Sequence, residues 1–385
     1  MDRLLAIVPK GDRIDWPLIE GTVMAPFVAP LRATPQTRRY HGEGDVWTHT
    51  RMVCEELVKL DAFRNLPDRA RQEVFLAALF HDIGKPSVTQ AERDGHFSAR
   101  GHAKRSAQMV RKLLWVDYDL AGDADKRSFR ETVCSLVQHH ALPLHIVESP
   151  YEEPHFRAIA AEAELSADYT WELQCLVTEA DVRGRIADDV PELLHTVEYC
   201  RLRAQDLGCY KGPYPFPAAH TRFRYLDGHP ISPDYALYNE NWGEVTVLCG
   251  LPGTGKDSFI GRNCPGLPVV SLDDIRNELD IKPTENQGMV AQKAIEQAKV
   301  YLRDHQPFVW NATSLTRMAR ARILGLCGDY KASANIVFLE TPWKENLRRN
   351  AAREAVVPQA VIDRMLDKLE MPYPQEAENV EWKCI

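Results

Sequence analysis

Val245-Thr-Val-Leu-Cys249 runs straight into Gly250-Leu-Pro-Gly253-Thr254-Gly255-Lys256-Asp257-Ser258, and this stretch decides the fold of the C-terminal half. An apolar, β-branched pentapeptide is the pattern of a buried strand. The glycines after it let backbone N–H groups wrap phosphate oxygens, the start of the next helix favours negative charge, and Lys256 reaches the β and γ phosphates of a nucleotide. The spacing predicts strand, phosphate-binding loop and helix in succession, with Gly250, Gly253, Thr254, Gly255, Lys256, Asp257 and Ser258 around the nucleotide. One position departs from the usual pattern. Asp257 stands where Ser or Thr ordinarily meets Mg2+, so either its carboxylate takes that part, directly or through water, or Ser258 does.

Outward from the loop, short apolar runs at Val245–Cys249, Pro268–Ser271, Phe308–Asn311 and Asn335–Leu339 alternate with helical patterns such as Val290–Arg303. Such alternation implies a parallel sheet with helices on both faces. Residues 45 to 205 read differently: apolar positions recur at helical spacing, as in Val74, Leu76, Ala77, Leu79 and Phe80, and the half is expected to be all-α. The Gly- and Pro-rich stretch Leu207–Pro233 cannot continue a helix and places the seam, giving domains 1–230 and 231–385. Its aromatic run Tyr210–Phe216 is read as interdomain packing ahead of base stacking.

Composition sets outer bounds. The 385 residues suit two cores, and 44% hydrophobic with 26% charged residues is globular rather than disordered. No apolar run reaches bilayer length, and the N-terminus has neither a long apolar core nor a small-residue cleavage site, so residence in the cytoplasm without a membrane is expected. Nine cysteines without a CxxC pair read as reduced thiols. A net charge of −8 argues against non-specific coating of nucleic acid, while Arg317–Arg322 and Arg348–Arg353 concentrate positive charge locally.

Two further clusters bear on what the loop phosphorylates. In Leu272-Asp273-Asp274-Ile-Arg276, Asp273 is placed to accept a proton from an attacking hydroxyl while Arg276 holds a phosphate of the acceptor; an acidic first helical turn is the plainer alternative. Arg349 and Arg353 fall four residues apart in a helical pattern ending near Pro358, where they would close over the nucleotide as a lid, or form a solvated basic face. The set GLPGTGK, LDDIR and RRNAAR resembles the polynucleotide 5′-hydroxyl kinase module over residues 244 to about 375. That resemblance implies ATP or another NTP as donor, Mg2+ as cofactor, Asp273 as general base, Arg276 on the acceptor strand and lid arginines on the nucleotide. Asn311, Thr313 and Arg317 follow a strand and are weaker candidates for the acceptor side.

In the N-terminal half, His81-Asp82-Ile-Gly-Lys85 follows an apolar helix, with His49 before it and His102, His139-His140 and Asp181 after it. This order resembles the HD phosphohydrolase superfamily. The resemblance implies one or two divalent transition metals, with His49, His81, Asp82 and Asp181 on one and two intervening histidines, His102 and His140, on the other; His140 is favoured over His139 because Ala-Leu-Pro follows it. Imidazole with carboxylate suits such metals, and each residue taken singly is also a plausible core or surface side chain. Lys85 and Arg185 sit about one helical turn beyond His81 and Asp181 and are expected to meet a substrate phosphate, or only to form surface pairs. Tyr40-His41-Gly-Glu43-Gly-Asp45, before the first metal histidine, offers further potential ligands but is read first as capping and turn structure. Together the halves resemble the bacterial HD-Pnk end-healing family, which implies DNA or RNA ends as substrates, removal of 2′,3′-cyclic or 2′ phosphates, and a ligase as functional partner. The alternatives are a metabolite kinase fused to a nucleotidase and a non-catalytic, nucleotide-sensing RNA-binding protein.

Overall fold

The computed structural model describes residues 1–166, 168–282 and 285–385. It divides into two compact units, Met1–Leu120 with Asp125–Tyr214, and Ala121–Ala124 with Pro215–Ile385. The division falls at Tyr214 rather than at residue 230 because the short helix Ala219–Leu226 is tied to residues C-terminal to it. His220 Nδ1 lies 2.8 Å from Glu378 Oε1 and Arg222 donates to the Glu378 carbonyl, while Thr221 donates to the Tyr235 carbonyl at 2.8 Å. A seam read from composition has no access to such partners 156 residues away.

The first unit is helical. Asp45 caps the helix Val46–Leu57 by accepting from Thr48 N at 2.9 Å, and Thr170 caps Trp171–Arg183 through Leu173 N. Glu73 to Phe80 are buried without interruption in the helix Asp68–Phe80, which marks it as a core helix rather than a surface one. Around it the side chains of Trp47, Phe75, Phe80, Phe129 and Trp171 form the hydrophobic centre. Among the described residues this unit departs from an all-α expectation in a minimal hairpin, β1 (Gln90–Ala91) and β2 (Phe97–Ser98), turned at Asp94-Gly95, and in an isolated bridge between Pro35 and Asp45.

The second unit holds five parallel strands, β3 (Glu244–Cys249), β4 (Val269–Ser271), β5 (Val309–Asn311), β6 (Ser333–Glu340) and β7 (Asn379–Cys384), in the order β4-β5-β3-β6-β7. β3 and β6 are buried almost throughout, as interior strands of a parallel sheet must be. β7 has no clear signature in the sequence because an edge strand is only half buried: Trp382 turns inward while Asn379 is exposed. The chain reverses direction across the sheet at β3, so the carboxyl ends of β3 and β5 border the crevice where such folds bind ligands. Among the described residues no helix is long and apolar enough to cross a membrane, and all nine cysteines are free thiols.

Candidate metal centre and phosphate-binding loop

Five helical segments of the first unit deliver His49, His81, Asp82, His102, His140 and Asp181 to one buried place. The groups His49, His81, Asp181 and Asp82, His102, His140 each have ligand atoms within 4.8 Å of one another. Asp82 faces both: its Oδ2 is 3.1 Å from His81 Nε2 and its Oδ1 is 3.3 Å from His102 Nε2. His49 Nε2 lies 2.9 Å from Asp181 Oδ1. Gly84 permits the approach, since a Cβ there would stand 2.6 Å from Ser106 N on the helix carrying His102.

The protonation pattern follows from the partners on the far side of each ring. His81, His102 and His140 each place Nδ1 2.8 Å from the carbonyl three residues earlier, at Ala78, Ala99 and Val137. A carbonyl only accepts, so Nδ1 carries the proton and Nε2 presents a lone pair. Burial pushes His140 down to about 3 and also lowers His102, keeping both rings neutral. Their Nε2 atoms are 3.2 Å apart with no proton to share, and His81 Nε2 and Asp82 Oδ1 are buried without a hydrogen bond, Asp82 Oδ2 having the Lys85 ammonium 2.7 Å away. Lone pairs and carboxylate oxygens converging in this way fit divalent cations. Burial alone would raise Asp82 and Asp181, but His81 and Lys85 beside the first, and Arg185 and His49 beside the second, hold them well below the usual range.

His139 bonds Glu162 at 3.1 Å instead of joining the cluster. Lys85 Nζ is 2.7 Å from Asp82 Oδ2 and Arg185 donates to Asp181 Oδ2 at 2.7 Å, so both cations border the carboxylates. The segment Tyr40–Asp45 does more than cap. Asp45 is the cap, but Glu43 Oε1 lies 2.9 Å from His49 Nδ1 and 2.8 Å from His41 Nδ1, and its Oε2 accepts from Ile186 N at 2.9 Å. Burial would raise Glu43, and these hydrogen bonds outweigh it and hold the carboxylate ionised. Together with Asp181 it raises His49 against the effect of burial. The sequence places Glu43 in a segment read first as turn and cap and second as a source of further ligands, and its carboxylate here lies beside the far nitrogen of the His49 ring.

In the second unit the loop has the expected form. Gly250, Gly253 and Gly255 take positive φ, and a Cβ at Gly250 would stand 2.6 Å from the Leu339 carbonyl. Lys256 Nζ donates to the carbonyls of Gly250 and Leu251 at 3.0 and 3.1 Å, and burial pushes it down to about 8 against the pull of Asp257 and Asp273. Thr254 is buried and spends its hydroxyl on Leu251 O at 2.9 Å, so its side chain shapes the loop rather than facing a ligand. Asn346, which the sequence did not single out, clamps the loop by donating to Pro252 O at 2.8 Å. Ser258 is exposed, while Asp257 Oδ1 accepts from Asn311 Nδ2 at 2.8 Å.

Asp273 is exposed and ion-paired with Arg276 on its own short helix; Arg353 reaches its Oδ2 at 3.8 Å. The two lid arginines do not share a helix. Trp343–Ala351 ends before Arg353 because Asn350 bonds both the amide and the carbonyl of Val357 and folds the chain back. Arg349 therefore lies over the loop, with Nη1 3.6 Å from the place a Gly255 Cβ would take, while Arg353 turns to Asp273. Arg317 is exposed, its guanidinium in no ion pair among the described residues, and Thr313 contributes its carbonyl to Gly250 N.

Comparison with known proteins finds relatives of both halves of the chain. The HD domain family matches residues 46–182 and an AAA domain family matches residues 245–372. Multifunctional CCA proteins of Pasteurella multocida and Vibrio parahaemolyticus are 31% and 32% identical over 91 residues, 24% of this chain. That of Psychromonas ingrahamii is 28% identical over 123 residues, 31% of this chain and 25% of its own. The matched stretch spans only 20% of the length of the first two relatives. A solved structure from Chloroflexus aurantiacus, provisionally titled a kinase, overlaps 37% of this chain and 86% of its own at 15% identity and a TM-score of 0.32. The chain joins a helical unit whose residues 46–182 match the HD domain family to a unit with a phosphate-binding loop and a parallel five-stranded sheet, whose residues 245–372 match the AAA domain family.

Proposed function

We propose that the chain repairs broken nucleic-acid ends, phosphorylating a 5′ hydroxyl with ATP or another NTP in one domain and clearing 2′,3′-cyclic or 2′ phosphates in the other. The observation that carries the kinase half is Asp273, an exposed carboxylate beside Lys256, with Arg276 and Arg353 on it. An Asp273 oxygen takes the proton of the 5′ hydroxyl as the hydroxyl oxygen bonds to the γ-phosphorus and the bond from the γ-phosphorus to the β,γ-bridging oxygen breaks. Lys256, Arg349 and Arg353 offset the negative charge on the transferring group, and Arg276 and Arg317 are free to hold phosphates of the acceptor strand once substrate competes for them.

In the HD domain His49, His81, Asp82, His102, His140 and Asp181 would hold one or two divalent metals, which supply an activated water and a Lewis acid for the phosphoester. Lys85 and Arg185 orient the phosphate and neutralise its oxygens, and Glu43 fixes the ring of His49. The 3′ side of a break is thereby cleared and its 5′ side charged, the two ends a ligase then joins. The test is to incubate the full chain with labelled ATP, Mg2+ and a 5′-hydroxyl oligonucleotide. Label on the oligonucleotide is expected. None at any pH from 6 to 9 refutes the reading, and equal labelling of free nucleosides favours a metabolite kinase instead.

A further inference from the structure

In P-loop enzymes the Mg2+ of the bound nucleotide is ordinarily held by two groups of unlike charge: a neutral hydroxyl directly after the loop lysine and a carboxylate at the end of a sheet strand. Here both positions are altered, and in opposite senses. The residue after Lys256 is Asp257, a carboxylate. The residue ending β5 is Asn311, a neutral amide, and β5 pairs directly with the strand that feeds the loop, Leu248 opposite Asn311. The two side chains, 54 residues apart in the chain, meet at 2.8 Å, Asn311 Nδ2 donating to Asp257 Oδ1. Asp257 Oδ2 makes no hydrogen bond or ion pair among the described residues.

We propose that Asp257, oriented by Asn311, is the protein's carboxylate ligand for the nucleotide's Mg2+, the two positions having exchanged charge. The inference rests on the phosphate-binding reading of the loop. The chemistry fits: Mg2+ takes oxygen ligands and is commonly held by one or two carboxylates plus substrate phosphates, so a free carboxylate oxygen beside the loop supplies what the strand end lacks. Asn311 cannot supply the charge, but its amide fixes the carboxylate through one oxygen and leaves the other for the cation. An aspartate at 311 facing Asp257 would set two carboxylates at hydrogen-bonding distance, which repel unless one is protonated. Each half of the exchange therefore requires the other. Ser258, one residue further along the helix, is exposed, and among the described residues its hydroxyl makes no hydrogen bond to β5.

The test measures binding of a fluorescent ATP analogue to the full chain in Mg2+ and in EDTA, and reads the ratio of the two affinities. Asp257→Ser is expected to reduce that ratio roughly 10–100-fold, the usual cost of losing a group that holds or orients a metal, partly because ATP in EDTA binds better without the opposing carboxylate. The double variant Asp257→Ser with Asn311→Asp restores the ordinary arrangement and should recover most of the ratio. A single variant with the wild-type ratio, or a double variant that melts like the wild type and recovers nothing, overturns the proposal. Wild-type chain that binds no ATP overturns the loop reading and this inference with it. Normal binding ratios without label transfer to an oligonucleotide would count against the proposed reaction alone.

Discussion

Glu43→Gln tests the metal centre at its least obvious support. The carboxylate accepts through Oε1 from His41 and His49 and through Oε2 from Ile186 N. Glutamine is isosteric but has one acceptor and one donor end. If its oxygen faces His49, its NH2 group meets the Ile186 N–H; if it is flipped, the NH2 group meets His49 Nδ1–H. In the second case the imidazole must move its proton to Nε2, the nitrogen 2.9 Å from Asp181, and the lone pair that would bind a metal is lost. Leaving a buried donor against a donor costs roughly 1–3 kcal/mol, which is about 5- to 150-fold in an equilibrium constant. The loss should fall on one metal group, because Asp82, His102 and His140 make no contact with Glu43. Metal content of the full chain after gel filtration, read by mass spectrometry with Mn2+ or Ni2+ supplied, is expected to drop by up to one equivalent per chain, with dissociation by a competing chelator faster to match. Unchanged metal content and chelator resistance in a variant with a wild-type melting curve would refute the role given to Glu43.

The remaining outcomes rest on the same geometry. His140→Ala should abolish metal retention by the second group and with it phosphoesterase activity, whereas His139→Ala, which removes the bond to Glu162 and the ring contact with Tyr169, should leave both intact; equal loss in the two variants would misplace the ligand. Asp273→Ala should lower label transfer by about two orders of magnitude or more while leaving ATP affinity within a few-fold, as expected for a proton acceptor that does not hold the nucleotide; an equal fall in both would make it a binding residue. Glu73 gives a stability signature. Burial, with Asp168 and Asp125 nearby, pushes it up to about 9 despite Arg69 at 3.3 Å, and both of its oxygens are buried without a hydrogen bond. Between the ordinary carboxyl value and about 9 the folded chain keeps a proton that the unfolded chain has released, so stability falls as pH rises, by up to roughly 1.4 kcal/mol per pH unit, and flattens above that window. Glu73→Gln should flatten melting temperature against pH between 5.5 and 8.5; a slope unchanged from wild type would mean that Glu73 is ionised.

What the sequence revealed was what local geometry repeats. Gly250 to Lys256 announce a phosphate loop because the loop's own backbone takes positive φ at Gly250, Gly253 and Gly255, a conformation that favours glycine whatever surrounds it. His81, His102 and His140 resolve into a cluster with Nε2 forward because each ends or begins a helix and finds a carbonyl three residues back, an arrangement that needs no distant partner. The division at Tyr214, the half-buried β7 and the parting of Arg349 from Arg353 were not visible in that way. Each depends on specific side-chain contacts, among them Arg222 to Glu378, Trp382 to Pro372 and Asn350 to Val357, and composition or periodicity does not register such contacts.

The same distinction explains which site residues escaped notice. His49 differs from the other three histidines in having no nearby carbonyl for Nδ1. A side chain must take that place, and Glu43 reaches it from a loop held in turn by Ile186, 143 residues on. Asn346 reaches Pro252 across 94 residues, and Asn311, read in the sequence only as a weaker candidate for the acceptor side, reaches Asp257 across 54. In each case a polar side chain replaces what the local backbone fails to provide. Such supports are where a variant with an intact motif can still lose its site: the histidines, the glycines and the lysine would all be present, and the ring, loop or carboxylate they depend on would be free to turn.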